Sequence, residues 1–190
     1  MRIAWDRREL LLKVVYYGPP RAGKTTNLEQ LQQMIAPEHR SDLISLNTYG
    51  DRTLFFDLLQ VSLSQVGGLT PRVSVYTVPG QPRYRRVREI VLRGADGVIY
   101  VADSAPERLG ENVRLWHQMH QQLRRMHQEV PILIQVNKRD LPNALPTSSI
   151  TRALDPHGRY PVVEAQAKHG IGVKESFMQI LMMILTGETV

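Results

Sequence analysis

Two periodicities alternate from one end of the chain to the other. Apolar or alternating runs suited to β-strands fall at 10–17, 54–63, 72–78, 97–102, 131–136 and 161–163. Patterns with helical spacing fall between or after them, at about 26–36, 83–93, 105–128, 147–154 and 173–186. Such alternation predicts an α/β fold, a mixed and mostly parallel six-stranded sheet with helices on both faces. The runs 54–63 and 72–78 are joined by Ser64-Gln65-Val66-Gly67-Gly68-Leu69-Thr70-Pro71, which leaves no room for a helix. They predict an antiparallel hairpin at the sheet edge. Ser104-Ala105-Pro106-Glu107 predicts a capping box at the start of the long helix, with Pro in the first turn. That helix carries an apolar stripe of Leu109, Val113, Trp116 and Leu123. His120 falls on the same face and reads as a semi-buried packing residue, because the His117/His120 pair has no third metal ligand nearby in sequence. Residues 173–186 read as a packing helix. With no internal repeat or linker, residues 1–190 are expected to form one domain.

Composition narrows the class. Hydrophobic content of 42% and charged content of 22% are those of a globular protein with a sizeable core. The absence of cysteine excludes disulfides, thiolate metal sites and prenylation. The start Met1-Arg2-Ile3-Ala4 has neither a signal-like apolar region nor a myristoylation glycine, and the run from Phe177 to Leu185 is too short to span a bilayer. The expectation is therefore a cytoplasmic protein with no membrane anchor. Net charge is +6, carried by nineteen Arg and five Lys. Three of those lysines, Lys24, Lys138 and Lys168, lie in the motifs described next, where a compact point charge is useful.

Gly18-Pro19-Pro20-Arg21-Ala22-Gly23-Lys24-Thr25 fits G-x-x-x-x-G-K-[ST] between a strand run and a helical run. A loop of this kind points successive backbone N–H groups inward, and the helix N-terminus adds its partial positive charge. The nucleotide contacts expected here are Gly18, Pro20, Arg21, Ala22, Gly23, Lys24, Thr25 and Thr26. Lys24 reaches β/γ-phosphates and the Thr25 hydroxyl ligates Mg²⁺. Asn137-Lys138-Arg139-Asp140 stands at the end of the strand 131–136. A carboxylate at Asp140 pairs with the N1–H and the N2 amine of guanine, and adenine offers no such donor pair. Glu164-Ala165-Gln166-Ala167-Lys168 follows the last strand; Ala167 is expected to offer its N–H to guanine O6, while the stems of Lys138 and Lys168 sandwich the base. GTP or GDP with Mg²⁺ is the expected cofactor set.

Over nearly its whole length the chain resembles the Ras-like small GTPases, with motifs in their order: GxxxxGKT, a switch I threonine, a G-Q switch II, NKxD and ExxAK. Blocks such as Asp51-Arg52-Thr53-Leu54-Phe55-Phe56-Asp57, Thr77-Val78-Pro79-Gly80-Gln81 and Leu92-Arg93-Gly94-Ala95-Asp96-Gly97 are similar to the narrower MglA group of bacterial polarity and gliding-motility GTPases. The resemblance implies a Ras-like P-loop GTPase domain and a GTP-hydrolysing switch. It implies that Gln81 orients the attacking water, that Thr53 closes over the γ-phosphate and joins Thr25 on Mg²⁺, and that Gly80 lies at the nucleotide. Arg52 becomes an arginine finger from the same chain; without the resemblance it reads as one solvated loop arginine among nineteen. The implied partners are a homodimeric roadblock-fold activator, MglB-like, and polarity or motility effectors that read the switch regions. In that group the activator slides the strand after switch I, and a slide of two residues preserves every side chain's face.

Two departures from the general Ras pattern stand out. Thr77 replaces the aspartate that braces the Mg²⁺ shell, leaving Asp57 and Asp103 as substitutes. Pro20 replaces a P-loop glycine and crowds Gln81, so slow intrinsic hydrolysis is expected. The alternative reading is a GTP-binding scaffold that does not hydrolyse. A P-loop enzyme of another class is disfavoured by Asp140 and Lys168, which together specify guanine. Arg83, Arg85, Arg86, Arg88 and Arg93 form either a solvated helix face or a partner surface. With Tyr84 the sole aromatic among them, nucleic acid is not an expected partner.

Overall fold

The structure is a computed structural model and describes residues 1–47 and 55–187. Its organising strand is β2 (Glu9–Tyr17), in which Leu12, Val14 and Tyr16 alternate with Val15 and Tyr17, all buried. A strand apolar on both faces must be covered on both. The even set joins a core with Leu28 and Leu31 of α1 (Lys24–Met34) and Phe177, Ile180 and Leu181 of α5 (Val173–Thr186). The odd set packs under α2 (Arg85–Leu92), α3 (Leu109–Arg125) and α4 (Thr147–Leu154), against Val91, Leu115, Trp116, Met119 and Ile150.

On one side of β2 lie β5 (Thr70–Thr77), parallel to it, then β4 (Phe55–Ser62) antiparallel to β5. On the other side β6 (Gly97–Asp103), β7 (Ile132–Asn137) and β8 (Val162–Glu164) all run parallel. This is the mixed sheet flanked by helices that the sequence predicts, with a difference in count. Among the described residues the sheet has eight strands, not six. The additions are β1 (Arg2–Ala4), antiparallel to Glu9–Leu11, and β3 (Ile44–Asn47), antiparallel to β4. Both are too short to show a periodicity. Strand β1 exists because β6 begins to pair with β2 only at Val14, leaving the edge of Glu9–Leu11 open for the N-terminus. Strand β3 lies outside β4, so the β4–β5 hairpin is one strand in from the edge rather than at it.

The expected capping box is not formed. Helix α3 is preceded by a 3-10 turn at Pro106–Arg108; the Ser104 hydroxyl donates to Asn137 O at 2.6 Å and accepts from Arg139 Nη1 at 3.2 Å rather than from a helix N–H. The neighbouring Asp103 takes the local role, its Oδ1 accepting from Ala105 N at 3.0 Å. His120 is half-buried as expected, between Trp116 and Tyr160 with centroids 4.5 and 5.5 Å away, but its Nε2 has no hydrogen-bond partner among the described residues.

Because β2, β5, β6, β7 and β8 share one direction, the segments after them meet along one edge of the sheet. Ligands of open α/β sheets bind at that edge. The motifs at Gly18, Gly80, Asp103, Asn137 and Glu164 therefore converge through topology, although they are distant in sequence.

Candidate functional site

The loop from Gly18 to Thr25 connects β2 to α1, and its shape depends on close backbone approach. Gly18 sits at φ +143°, and a Cβ there would lie 2.2 Å from Val101 O, so only glycine lets the loop lean onto β6. At its far end the first turn of α1 has no side-chain cap and no acidic residue, which leaves its N–H groups for an anion. Lys24 is 7% exposed and its Nζ donates to Gly18 O at 3.0 Å and Pro19 O at 2.6 Å, curling back over the loop. Burial pushes its ammonium down to about 7; the charge of Arg88 adds to this, while Glu111 and Asp57 oppose it. A lysine in that condition favours the arrival of negative charge.

The sign of this effect gives a prediction. A lowered pKa means that the native chain binds fewer protons than the unfolded one between about 7 and 10.5, so the stability of ligand-free protein rises with pH across that window. Phosphate oxygens placed beside Lys24 would restore its charge. Binding of GDP at pH 7.5 is therefore expected to take up a fraction of a proton. Calorimetry in two buffers of different ionisation enthalpy checks this, and Lys24→Met should abolish the uptake.

Next to the loop is a cleft of about 340 Å³ lined by Pro20, Arg21, Lys24, Thr25, Asp57, Thr77 and Gln81, among others. Here the two aspartates lie on different sides of the site. Thr25 Oγ1 donates to Asp57 Oδ2 at 2.6 Å, and Thr77 Oγ1 donates to the same oxygen at 2.9 Å. Ser45 Oγ donates to the other carboxylate oxygen at 2.8 Å. Asp103 is fully buried and bonds Lys138 Nζ at 2.7 Å, on the base side of the site. So the carboxylate missing at Thr77 stands across the ladder on β4. Hard oxygen donors from Thr25 and Asp57 beside a phosphate loop fit Mg²⁺. Arg52 and Thr53 lie outside the described residues.

The base side is tied together by Asn137, which is 2% exposed. Its Nδ2 donates to Ala22 O at 2.8 Å, and its Oδ1 accepts from Ala167 N at 2.9 Å. The phosphate loop, the end of β7 and the loop after β8 are thereby joined by one side chain. One expectation changes: the Ala167 N–H assigned to guanine O6 is committed to Asn137 in this structure. Asp140 and Lys168 are exposed beside this junction, and Lys138 is held by its ammonium against Asp103. Thr26 is half-buried and Arg21 exposed at φ +63°.

Gly80 packs directly on the loop; a Cβ would fall 2.0 Å from Pro20 N. Gln81 follows with its side chain exposed. The arginine run divides. Arg83, Arg85, Arg86 and Arg93 are exposed, whereas Arg88 is fully buried, against both sequence readings of the run. Arg88 Nη1 donates to Pro79 O at 2.9 Å and Gln81 O at 2.7 Å, bracketing Gly80, and Nη2 donates to Gln118 Oε1 at 3.2 Å. The missed signal was its helical spacing with Val91 and Leu92 on the apolar face of α2.

A phosphate loop after the first long strand, an NKxD segment after β7 and a G-Q segment after β5, all on one sheet edge, define a P-loop GTPase of the Ras-like fold. The sequence model of the ADP-ribosylation factor family matches residues 4–184. The mutual gliding-motility protein MglA of Myxococcus xanthus (strain DK1622) is 41% identical over 187 residues, 97% of this chain and 95% of its own. ADP-ribosylation factor-like protein 4C of Homo sapiens is 30% identical over 182 residues, covering 92% of this chain and 87% of that one. The Ras-related protein RabG2 of Dictyostelium discoideum is 28% identical over 169 residues, 88% of this chain and 79% of its own length. The chain belongs to the ADP-ribosylation factor family and is a Ras-like small GTPase of the MglA type. Membership implies guanine nucleotide as ligand and GTP hydrolysis as the general activity. No helix among the described residues is long and apolar enough to cross a membrane.

Proposed function

We propose that this chain is a guanine-nucleotide switch of the MglA type, slow by itself and completed by a roadblock-fold dimer, acting in bacterial polarity or motility. The observation that carries it is the Asn137 junction, which gathers the phosphate loop and both base-reading loops into one cradle. In this reading Lys24 and the α1 N-terminus hold the phosphates, and Asp140 reads guanine between the stems of Lys138 and Lys168. Thr25 and Thr53 hold Mg²⁺, with Asp57 bracing its shell. Mg²⁺ supplies charge neutralisation between the phosphates; the chain's residues orient and exclude. Gln81 positions water, and Arg52 meets the charge that develops on transfer. Slow unaided hydrolysis is supported by the close contact of Gly80 with Pro20 and by the exposure of Gln81, whose side chain has no packing among the described residues to fix it.

The partner surface in this proposal is the outer face of α2. Arg86 and Ile90, one turn apart, lie on it, with exposed Arg83 in the 3-10 turn Pro82–Tyr84 before the helix and exposed Arg93 at its extended C-cap, and Ile90 is 63% exposed. An apolar knob among guanidinium groups suits a partner with an apolar pocket rimmed by carboxylates. Its base is Arg88, which grips the backbone at Pro79 and Gln81, so the face is tied to the segment that answers the γ-phosphate. Sliding β4 by two residues would keep its faces but carry Asp57 away from Thr25 and Thr77.

Single-turnover GTP hydrolysis with and without a roadblock dimer tests the reading, and stimulation is the expected result. The second reading, a non-hydrolysing scaffold, is favoured by the same Gly80–Pro20 contact, and stoichiometric GTP retained in both arms would establish it instead. Asp57→Asn is expected to weaken Mg²⁺ binding by about 10–100-fold, the usual effect of losing an outer-shell partner. A magnesium titration of fluorescent GDP release measures it; an unmoved midpoint would return the role to a residue elsewhere.

A further inference from the structure

Beneath the Asn137 junction is a second polar layer to which the function above gives no part. Gln135 lies two residues before Asn137 on β7 and so on the same face of the sheet; Asn27 lies one turn into α1. Both are completely buried. Their amides pair reciprocally, Asn27 Nδ2 donating to Gln135 Oε1 and Gln135 Nε2 donating to Asn27 Oδ1, each at 2.9 Å. The second amide proton of Asn27 goes to Gly23 O at 2.8 Å, in the phosphate loop. That of Gln135 goes to Ser176 Oγ at 2.9 Å, and the Ser176 hydroxyl donates to Gly172 O at 2.6 Å, just beyond the Glu164–Lys168 loop. Every donor in the chain of bonds has an acceptor, in a place where hydrocarbon would pack as well.

We propose that the Asn27–Gln135–Ser176 network is a latch that retains the bound nucleotide; the proposal rests on the guanine-nucleotide reading of the site. The three segments it joins are those a nucleotide would also join: the phosphate loop at Gly23, the base strand through Gln135, and the last loop through Gly172. Latch and ligand therefore stabilise one closed arrangement, and coupling of that kind is reciprocal. Release requires the segments to part, which breaks a fully satisfied buried network. These are positioning residues, since none of them faces the phosphates or the base.

The test uses full-length protein loaded with mant-GDP and chased with excess GDP. Gln135→Met and Asn27→Leu each leave a buried amide without its partner, and should speed release by roughly ten- to a hundredfold. Ser176→Ala, at the outer end of the network, should give a smaller rise and guards against a variant that does not fold. The double variant Asn27→Leu/Gln135→Met removes both polar groups and should recover much of the melting temperature while release stays fast. If release returned to the wild-type rate together with the melting temperature, the network would be structural only. Wild-type release in the single variants would also overturn the latch. A wild-type chain that fails to retain mant-GDP at all would instead overturn the nucleotide reading beneath it, so the two failures are told apart by the control.

Discussion

Arg52→Ala is expected to lower activator-stimulated GTP hydrolysis by about 10³–10⁵ while leaving nucleotide affinity nearly unchanged. An arginine finger meets charge that appears only as the γ-phosphoryl group is transferred, so its loss falls on the transition state rather than on binding. Removal of Gln81 should also cripple turnover, because orientation of the water is most of what the protein contributes. The two losses are not expected to add, since both groups serve one transition state. In the proposed reading an exposed Gln81, with Gly80 seated on Pro20, is the group that an activator would position. The measurement is single-turnover hydrolysis with a roadblock dimer present, beside a binding control for GTP and for the activator. Full stimulated turnover by Arg52→Ala would make Arg52 a surface arginine.

Asp140→Asn is expected to cost about 10⁴-fold in GDP affinity and to shift preference to xanthine nucleotides. In the proposed reading the carboxylate accepts two hydrogen bonds from guanine, and an asparagine in its place would present a donor to the N2 amine. Xanthine carries an oxygen at that position and accepts the bond instead. Asp140 is exposed beside the Asn137 junction and has no hydrogen-bond or ion-pair partner among the described residues, so its replacement should leave the fold intact. Competition between GDP and XDP on purified variant, with its melting curve, checks both halves. Unchanged GDP affinity would remove Asp140 from base recognition.

The long strands and helices were legible because their burial is regular. Residues 147–154 and 173–186 form helices over the ranges read from spacing alone. Strand β1 was not legible, since its three residues pair for a reason that lies elsewhere, in where β6 begins. The Ser104 box failed because the 3-10 turn at Pro106–Arg108 delays the start of α3 to Leu109, and the Ser104 oxygen accepts from Arg139 Nη1 rather than from a helix N–H. Arg88 was grouped with its exposed neighbours because charge is visible in sequence and burial is not.

What the sequence alone determined is the local pattern: a phosphate-loop motif that needs contiguous residues and an NKxD segment at a strand end, the marks of a guanine-nucleotide family. Those signals survive because each is written within a few adjacent residues, and backbone geometry does the rest. Tertiary structure alone decided the matters that depend on residues far apart in the chain. It placed Asp57 rather than Asp103 beside Thr25, turned Arg88 inward under Gly80, and paired Asn27 with Gln135 across 108 positions. Contacts of that range are set by strand order and register, which put side chains face to face without leaving any local pattern to read.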